Sequence, residues 1–269
     1  FLLTGSANLL LLPTVSESLA GRMEIVRLHP LTEAEKERQP GRFLADLLAS
    51  TFRPQVRPGQ PEPQDLARRL VQGGYPEARR RDAGRLRKWH RAYLEALIER
   101  DARDVSKLRN LDHLASLLRL LAHQNAGLLN VNSAAKLLGI RRETVENNLS
   151  ALERLFLIRR LHAWHPNDAQ RLVKAPKIHL VDSSLAATLG GLSMDDWTQS
   201  RDRFGHLLES FVLQQLIAQA DWTDPELSFW HYRDKDQVEV DVVITRGRQI
   251  WGLEIKAGAT VAPHDGRGL

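Results

Sequence analysis

The spacing of apolar residues changes along this chain, and this change limits the folds that it can adopt. Between residues 65 and 130 large apolar residues recur at three- and four-residue steps, as in Leu86–Leu97 and Leu111–Leu121, which predicts helices. From Lys177 onwards short apolar runs surround one amphipathic helix, expected at residues 207–217. These runs predict strands at residues 178–181, 227–232, 238–244 and 249–256. The sequence therefore predicts a mixed α/β fold.

The front of the chain shows strand and helix signals of its own. Phe1-Leu2-Leu3 predicts a buried strand that runs into the turn Thr4-Gly5-Ser6, and Glu24–Leu28 predicts a second strand. Thr32-Glu33-Ala34-Glu35 matches a capping box, in which the threonine and glutamate side chains bond backbone amides reciprocally. We therefore expect a helix that continues to about Ser50.

Prolines mark the main domain boundary. Four of them lie between Arg53 and Gln64, where they remove backbone donors and restrict the preceding residues, so residues 53–64 are expected to form a linker. We expect residues 1–52 and 65–130 on either side of it, the latter as a helical region. Two further units are expected at residues 131–176 and 177–269.

Residues 131–176 have the pattern of a winged helix-turn-helix. Ser133 is expected to cap a first helix, and Gly139 can take the positive φ of the turn. A second apolar face follows from Val145 to Leu155, and Leu157–Leu161 is expected to begin a β-wing. Arg141 and Arg142 begin this second helix, where contacts to bases or phosphates are expected. Winged helices also contact proteins, and that alternative stays open.

The charge balance is compatible with a nucleic-acid partner. Lys and Arg total 38 against 33 Asp and Glu, which gives a net charge of +5. A second basic cluster spans Arg79–Arg91, although a solvated helical face explains it equally well.

The chain has no cysteine, so disulfides, cysteine zinc sites and thiol nucleophiles are excluded, and a cytoplasmic location is expected. The longest apolar runs, such as Leu9–Leu12, are too short for a membrane span, and no membrane partner is expected.

Two carboxylates and a lysine near the end of the chain form the most suggestive chemical pattern. Asp241 lies in one predicted strand, and Glu254 and Lys256 lie in the next, pointing to the same face because side chains alternate along a strand. Carboxylate oxygens are the ligands that Mg²⁺ prefers, and a lysine can orient a water whose pKa the metal lowers. The alternative is an ordinary strand pair with alternating charges. His206 and His231 lie nearby and are expected to be structural.

This Asp-x12-Glu-x-Lys arrangement resembles the PD-(D/E)xK nuclease fold. The resemblance implies that Asp241 and Glu254 bind Mg²⁺ or Mn²⁺ and that Lys256 orients the attacking water. It also implies that Glu209, on the preceding helix, is a supporting metal ligand. Val240 stands in place of the proline that gives the family its name.

The order of short motifs along the chain resembles a second, larger family. Thr4-Gly5-Ser6 and Ser18–Arg22 are followed by His29-Pro30-Leu31-Thr32, Gly73-Gly74-Tyr75 and Lys177–Ser183. This order resembles predicted prokaryotic ATPases that join an AAA+ core to a C-terminal domain of unknown function. The resemblance implies ATP as a cofactor of the full-length protein.

Within that family, Ser6 would sense the γ-phosphate and Arg22 would act as an arginine finger. A strand-end turn for Ser6 and a surface charge for Arg22 are the alternatives. The phosphate-binding loop Gly-x-x-x-x-Gly-Lys-(Ser/Thr) is absent from these residues, so we expect the chain to be a fragment without it. AAA+ relatives often form rings, so a homo-oligomer is among the expected states.

The sequence thus leads to two functional hypotheses. In the first, an AAA+-type ATP-binding protein acts on nucleic acid through a nuclease-like domain that cleaves DNA with a divalent metal. In the second, the same domains form a non-catalytic regulator that binds DNA or protein, and the carboxylates are structural.

Overall fold

The computed structural model describes residues 4–5, 24–53, 63–101, 110–167, 174–258 and 268. The fold is mixed α/β, as predicted. The helices before the first strand are α1 (Glu33–Lys36), α2 (Phe43–Leu48), α3 (Pro63–Gln72), α4 (Ala83–Ala96), α5 (Leu111–His123), α6 (Val131–Leu138) and α7 (Arg142–Arg154). The remaining elements are β1 (Ile158–Leu161), β2 (Lys177–Leu180), α8 (Ser183–Gly190), α9 (Arg201–Thr223), β3 (Ser228–Arg233), β4 (Glu239–Arg246) and β5 (Gln249–Leu253). Short 3₁₀ turns lie at Ala78–Arg80 and Met194–Trp197, and a π turn at Leu97–Asp101 extends α4.

The described part of the front segment differs from its prediction. Residues 24–28 form no strand, and the helix expected to reach Ser50 is divided into α1 and α2. Arg38 adopts a φ of 55° and Pro40 follows it, so α1 cannot continue. The capping box is confirmed, because Thr32 and Glu35 bond each other's backbone amides.

Helices α1 and α2 pack on α9. The backbone N–H of Glu33 donates to Gln215 Oε1 at 2.7 Å, and that of Leu44 donates to Gln219 Oε1 at 3.2 Å. Leu44 is fully buried in a small core with apolar residues of α9 and β4. The front segment is thereby fixed to the C-terminal part of the chain.

The helix pair expected after residue 130 is present, with one correction, and a strand begins where the wing was expected to begin. Asn130, and not Ser133, caps α6, because its side chain accepts from the Ser133 N–H. Gly139 ends α6 with a φ of 65°, which is the left-handed conformation that glycine adopts most easily. Helix α7 buries the predicted apolar face, and β1 then pairs with β2 in an antiparallel hairpin.

The strands form two small antiparallel sheets that touch at one point. Strand β4 lies between β3 and β5, and its register with β5 is set by pairs such as Val242 with Leu253. The chain just after β1 meets β3, because the His231 N–H donates to His162 O at 2.9 Å and Ala163 bridges His231 in parallel. This contact joins the β1–β2 hairpin to the C-terminal sheet.

The main hydrophobic core crosses the domain boundaries that the sequence predicts. It contains Leu70 of α3, Leu117 of α5, Leu149 of α7, Ile178 of β2 and Phe204 of α9, all almost completely buried. The boundaries themselves stay a prediction. Among the described residues, no helix is long and apolar enough to cross a membrane.

Candidate nuclease-like site

Asp241 lies on β4 with its side chain enclosed between the sheet and α9. Its Oδ2 accepts from the backbone N–H of Ile255 at 2.9 Å, just beyond the end of β5. This bond places the Asp241 carboxyl group directly against the backbone that links Glu254 and Lys256. A direct contact therefore brings Asp241 close to the Glu-x-Lys segment, as the sequence predicts.

Lys177, which the sequence analysis did not single out, is the group that joins Asp241 to Glu209. Its Nζ lies 3.1 Å from Glu209 Oε2 and 3.3 Å from Asp241 Oδ1. The three side chains are only 7%, 13% and 8% exposed, respectively. A charge at the start of a buried strand needs a counter-charge, and this was the signal in the sequence that could have indicated Lys177.

Burial and charge act in opposite directions on this cluster. Burial would lower the pKa of Lys177, but Glu209 and Asp241 together outweigh it and raise that pKa above its usual value. Burial also raises the pKa of Glu209 to about 7, although Lys177 opposes this effect. Lys177 is therefore held as a cation by the carboxyl groups around it.

Glu254 and Lys256 form a pair of their own next to Asp241. Lys256 Nζ donates to Glu254 Oε1, and the lysine is partly exposed whereas the glutamate is largely buried. Glu254 Oε2 is buried and has no hydrogen-bond partner among the described residues. This oxygen is available for a further ligand.

The donors fit a divalent cation only in part. Asp241 and Glu254 supply the oxygens that a hard cation prefers, and two carboxylates with waters are sufficient for Mg²⁺. Within the described ranges, however, no group of three or more His, Cys, Asp or Glu side chains could hold a metal ion. A cation between Glu209 and Asp241 would have to displace the Lys177 ammonium group, because that group already lies in contact with both.

A layer of buried polar side chains extends from this cluster along β2 and α9. His179 Nδ1 and Asn125 Nδ2 each lie 2.8 Å from Ser210 Oγ. His231, expected to be structural, is buried and its Nε2 lies 3.2 Å from the Ala175 carbonyl oxygen. Burial lowers the pKa of His231 to about 4 and also lowers that of His206. These groups are neutral at physiological pH.

The two arginines expected to contact DNA lie at the start of α7 and are exposed. Arg141 is the N-cap residue, and Arg142 lies 3.9 Å from Glu146 in a loose pair. Two other arginines near this surface are held by polar partners. Arg159 is partly buried and its Nη1 donates to Gln214 Oε1 at 3.0 Å, and Arg160 is paired with Glu153. Lys136, by contrast, is exposed.

The two residues expected to contact nucleotide, Ser6 and Arg22, lie outside the described residues. Three later motifs of the ATPase resemblance meet around Asp182. Its Oδ2 accepts from the Gly74 N–H at 2.7 Å and its Oδ1 from the Ser184 N–H at 2.8 Å. The Gly74 carbonyl in turn accepts from the Leu31 N–H at 2.8 Å. We call this set of contacts the Asp182 clamp.

A buried histidine completes the Asp182 clamp. Ser184 Oγ donates to Asp182 Oδ1 and lies 3.1 Å from His90 Nε2, while His90 Nδ1 lies 2.8 Å from Thr188 Oγ1. Asp182, Ser184 and His90 are all buried, and Asp182 bonds the serine and not the histidine. The arrangement is therefore a packing device and does not have the geometry of a hydrolytic triad.

Two families of unknown function match different parts of the chain. Residues 63–196 match the sequence profile of the domain of unknown function DUF8612, and residues 204–269 match that of the domain of unknown function DUF4143. The second region contains most of α9 and the whole of the β3–β5 sheet.

The curated relatives are themselves uncharacterized. One uncharacterized protein from Mycobacterium bovis and one from Mycobacterium tuberculosis are each 28% identical to this chain over 261 residues. The match covers 97% of this chain but 53% of each relative, so the chain spans about half the length of these proteins. No solved structure gives a significant match.

Proposed function

We propose that this chain is part of an AAA+-type ATP-binding protein that acts on nucleic acid, and that its C-terminal region is a nuclease-like domain. The observation that carries the proposal is the contact between the Asp241 carboxyl group and the backbone beside Glu254. This contact brings β4, which carries Asp241, and the Glu-x-Lys segment together, and Glu209 of α9 lies on the other side of Asp241.

DNA cleavage at this site would depend on a divalent metal, Mg²⁺ or Mn²⁺. When bound, the metal would activate a water molecule and stabilise charge on the phosphate. Asp241 and Glu254 would hold the ion, and the unpaired Glu254 Oε2 is the atom best placed to do so. Lys256, which is partly exposed, would orient the water and contact the phosphate.

The nucleotide-dependent part of this function belongs to the longer protein. Ser6 and Arg22 are proposed as its γ-phosphate sensor and arginine finger on the basis of the resemblance. We further propose that the protein is cytoplasmic and that it assembles into a homo-oligomer, as AAA+ proteins often do.

DNA would be held by residues 131–176 as a winged helix-turn-helix. Two helices joined by a glycine turn and followed by β1 support this proposal. Lys136, Arg141 and Arg142 are exposed on this part of the surface, and phosphate contacts by them would make binding salt-sensitive.

A second candidate function is favoured by Lys177. Its ammonium group already compensates two carboxyl groups of the proposed metal site. In this case the domain would retain a nuclease-like fold without catalysis and would serve as a regulatory module that binds DNA or protein.

Cleavage of plasmid and single-stranded DNA with Mg²⁺ or Mn²⁺ separates the two candidates. We expect metal-dependent cutting by the wild type, and its loss in Asp241→Ala and Lys256→Ala, because one removes a metal ligand and the other the water-orienting ammonium. Asp236→Ala and Lys235→Ala, exposed on the β3–β4 turn, are matched controls that should retain activity. Folded, metal-replete protein that does not cut either substrate would support the regulatory module instead.

A further inference from the structure

Lys177 is fixed in place by its own backbone. It begins β2, where it pairs with Leu161 of β1, and it also bridges Leu128 on the other side. The neighbouring Pro176 carbonyl accepts from the Leu129 N–H at 2.8 Å. The lysine side chain therefore enters the space between α9 and β4 from a rigid part of the fold.

Moving the Lys177 side chain out of this space would raise the free energy of the folded state. Glu209 and Asp241 are both largely buried, and two carboxyl groups close together repel each other when both are ionised. Removing one partner of a buried ion pair strongly destabilises the fold, because the remaining charge then has no counter-charge. Lys177 therefore supplies the charge that a metal ion would otherwise supply at Glu209 and Asp241.

We propose that Lys177 is a built-in cation that competes with a divalent metal ion for Glu209 and Asp241. This inference rests on the proposed nuclease-like site for the identity of the carboxyl ligands. With Lys177 in place, a metal ion is restricted to the side of Asp241 that faces Glu254. Without Lys177, the ion gains Glu209 as a further ligand and replaces the lost positive charge.

The variant Lys177→Met tests the competition, because methionine replaces the apolar stem of the lysine side chain and removes the ammonium group. Mn²⁺ binding is measured without DNA, by the electron paramagnetic resonance signal of the free ion and by calorimetry. We expect Lys177→Met to bind Mn²⁺ at least roughly tenfold more tightly than the wild type. Its thermal unfolding temperature should be lower than that of the wild type in EDTA and should recover when Mn²⁺ is added.

Two controls identify the site. Lys174→Met removes a neighbouring lysine that donates to the Arg233 carbonyl and lies outside the carboxyl pair, so its Mn²⁺ affinity should equal that of the wild type. The double variant Lys177→Met/Glu209→Gln should lose the gain in affinity, because the additional ligand is gone.

Equal Mn²⁺ affinity of the wild type and a folded Lys177→Met would overturn the inference. If Lys177→Met does not fold in EDTA, refolding with Mn²⁺ gives the same test, since a cation between the carboxyl groups should then restore the fold. Failure to refold with Mn²⁺ would also overturn it. Neither result depends on cleavage, so a wild type that binds Mn²⁺ but does not cut DNA contradicts the proposed nuclease function alone.

Discussion

Single residues decide how the distant parts of this chain meet, and Gly73 is one of them. It has a φ of 61°, a left-handed conformation, and a methyl group in place of its hydrogen would overlap the Asp182 carboxyl group and the Ser184 side chain. No larger residue fits here without moving the Asp182 clamp.

Gly73→Ala is therefore expected to lower the free energy of unfolding by about 1–3 kcal/mol, through backbone strain and steric overlap. Urea denaturation measures the change. Gly84→Ala is the matched control, because Gly84 lies in the first turn of α4 where an added methyl group makes only an ordinary contact with Asp82. That control should be neutral or slightly stabilising, since alanine favours helix over glycine. Equal effects of the two substitutions would contradict the role given to Gly73.

Of the contacts in the candidate site, the one between Asp241 and the Glu254 segment could be predicted from the sequence, and those of Lys177 could not. The proximity of Asp241 to the Glu254 segment follows from the short β4–β5 hairpin, whose turn at Gly247 is visible in the sequence. Lys177 is 32 residues from Glu209 and 64 from Asp241, and no spacing rule connects them. Their contact depends on how β2, α9 and β4 pack, and this packing is not encoded in any one segment.

At the scale of elements, predictions succeeded where a segment carried its own pattern. Strands β2 to β5 begin within about a residue of their predicted positions, because alternation and the Gly247 turn define them. Helix α9 extends well beyond the predicted residues 207–217, since its ends are polar and lack an apolar period. The strand predicted at residues 24–28 was wrong, because an apolar run needs a neighbouring strand, and the described residues provide none for it.

Helix α2 offers an element-scale test of the packing between the front segment and α9. Leu44 is 0% exposed, so Leu44→Ala should lower the free energy of unfolding by about 2–5 kcal/mol through lost burial and the cavity that remains. Leu28→Ala makes the same chemical change at a position that is 94% exposed, and it should change stability by less than about 0.5 kcal/mol. Chemical denaturation of both variants measures the difference. A small effect at Leu44 would mean that α2 does not stay on α9 in solution.

At the scale of the whole molecule, the interior contains several neutral histidines. Burial lowers the pKa of His90 to about 4, against a small opposing effect of Asp182, and His231 is shifted in the same direction. A histidine with a lowered pKa in the folded state takes up its proton more readily when the chain unfolds. Its contribution to stability is therefore complete above the unfolded pKa of 6.5 and is lost as the pH falls towards 4.

We expect the stability of the wild type to fall over this range, with His90 alone accounting for up to about 3 kcal/mol. The difference in unfolding free energy between the wild type and His90→Gln should shrink as the pH is lowered from 6.5 towards 4. Thr188→Val removes a hydrogen bond of the same histidine but no titrating group, so it should keep the pH dependence of the wild type. Urea titrations at several pH values provide the measurement. A difference for His90→Gln that does not vary with pH would show that another group causes the acid sensitivity.

The contact between Leu44 and Gln219 also has a consequence for the time at which this chain can fold during synthesis. The two residues are 175 positions apart, and a ribosome that adds about 5–20 residues per second needs roughly 9–35 s to reach the second after the first. Throughout that interval Leu44 lacks the α9 residues that bury it in the folded protein. The nascent chain therefore exposes the apolar face of α2 until α9 leaves the exit tunnel, and this is the interval in which a chaperone would bind it.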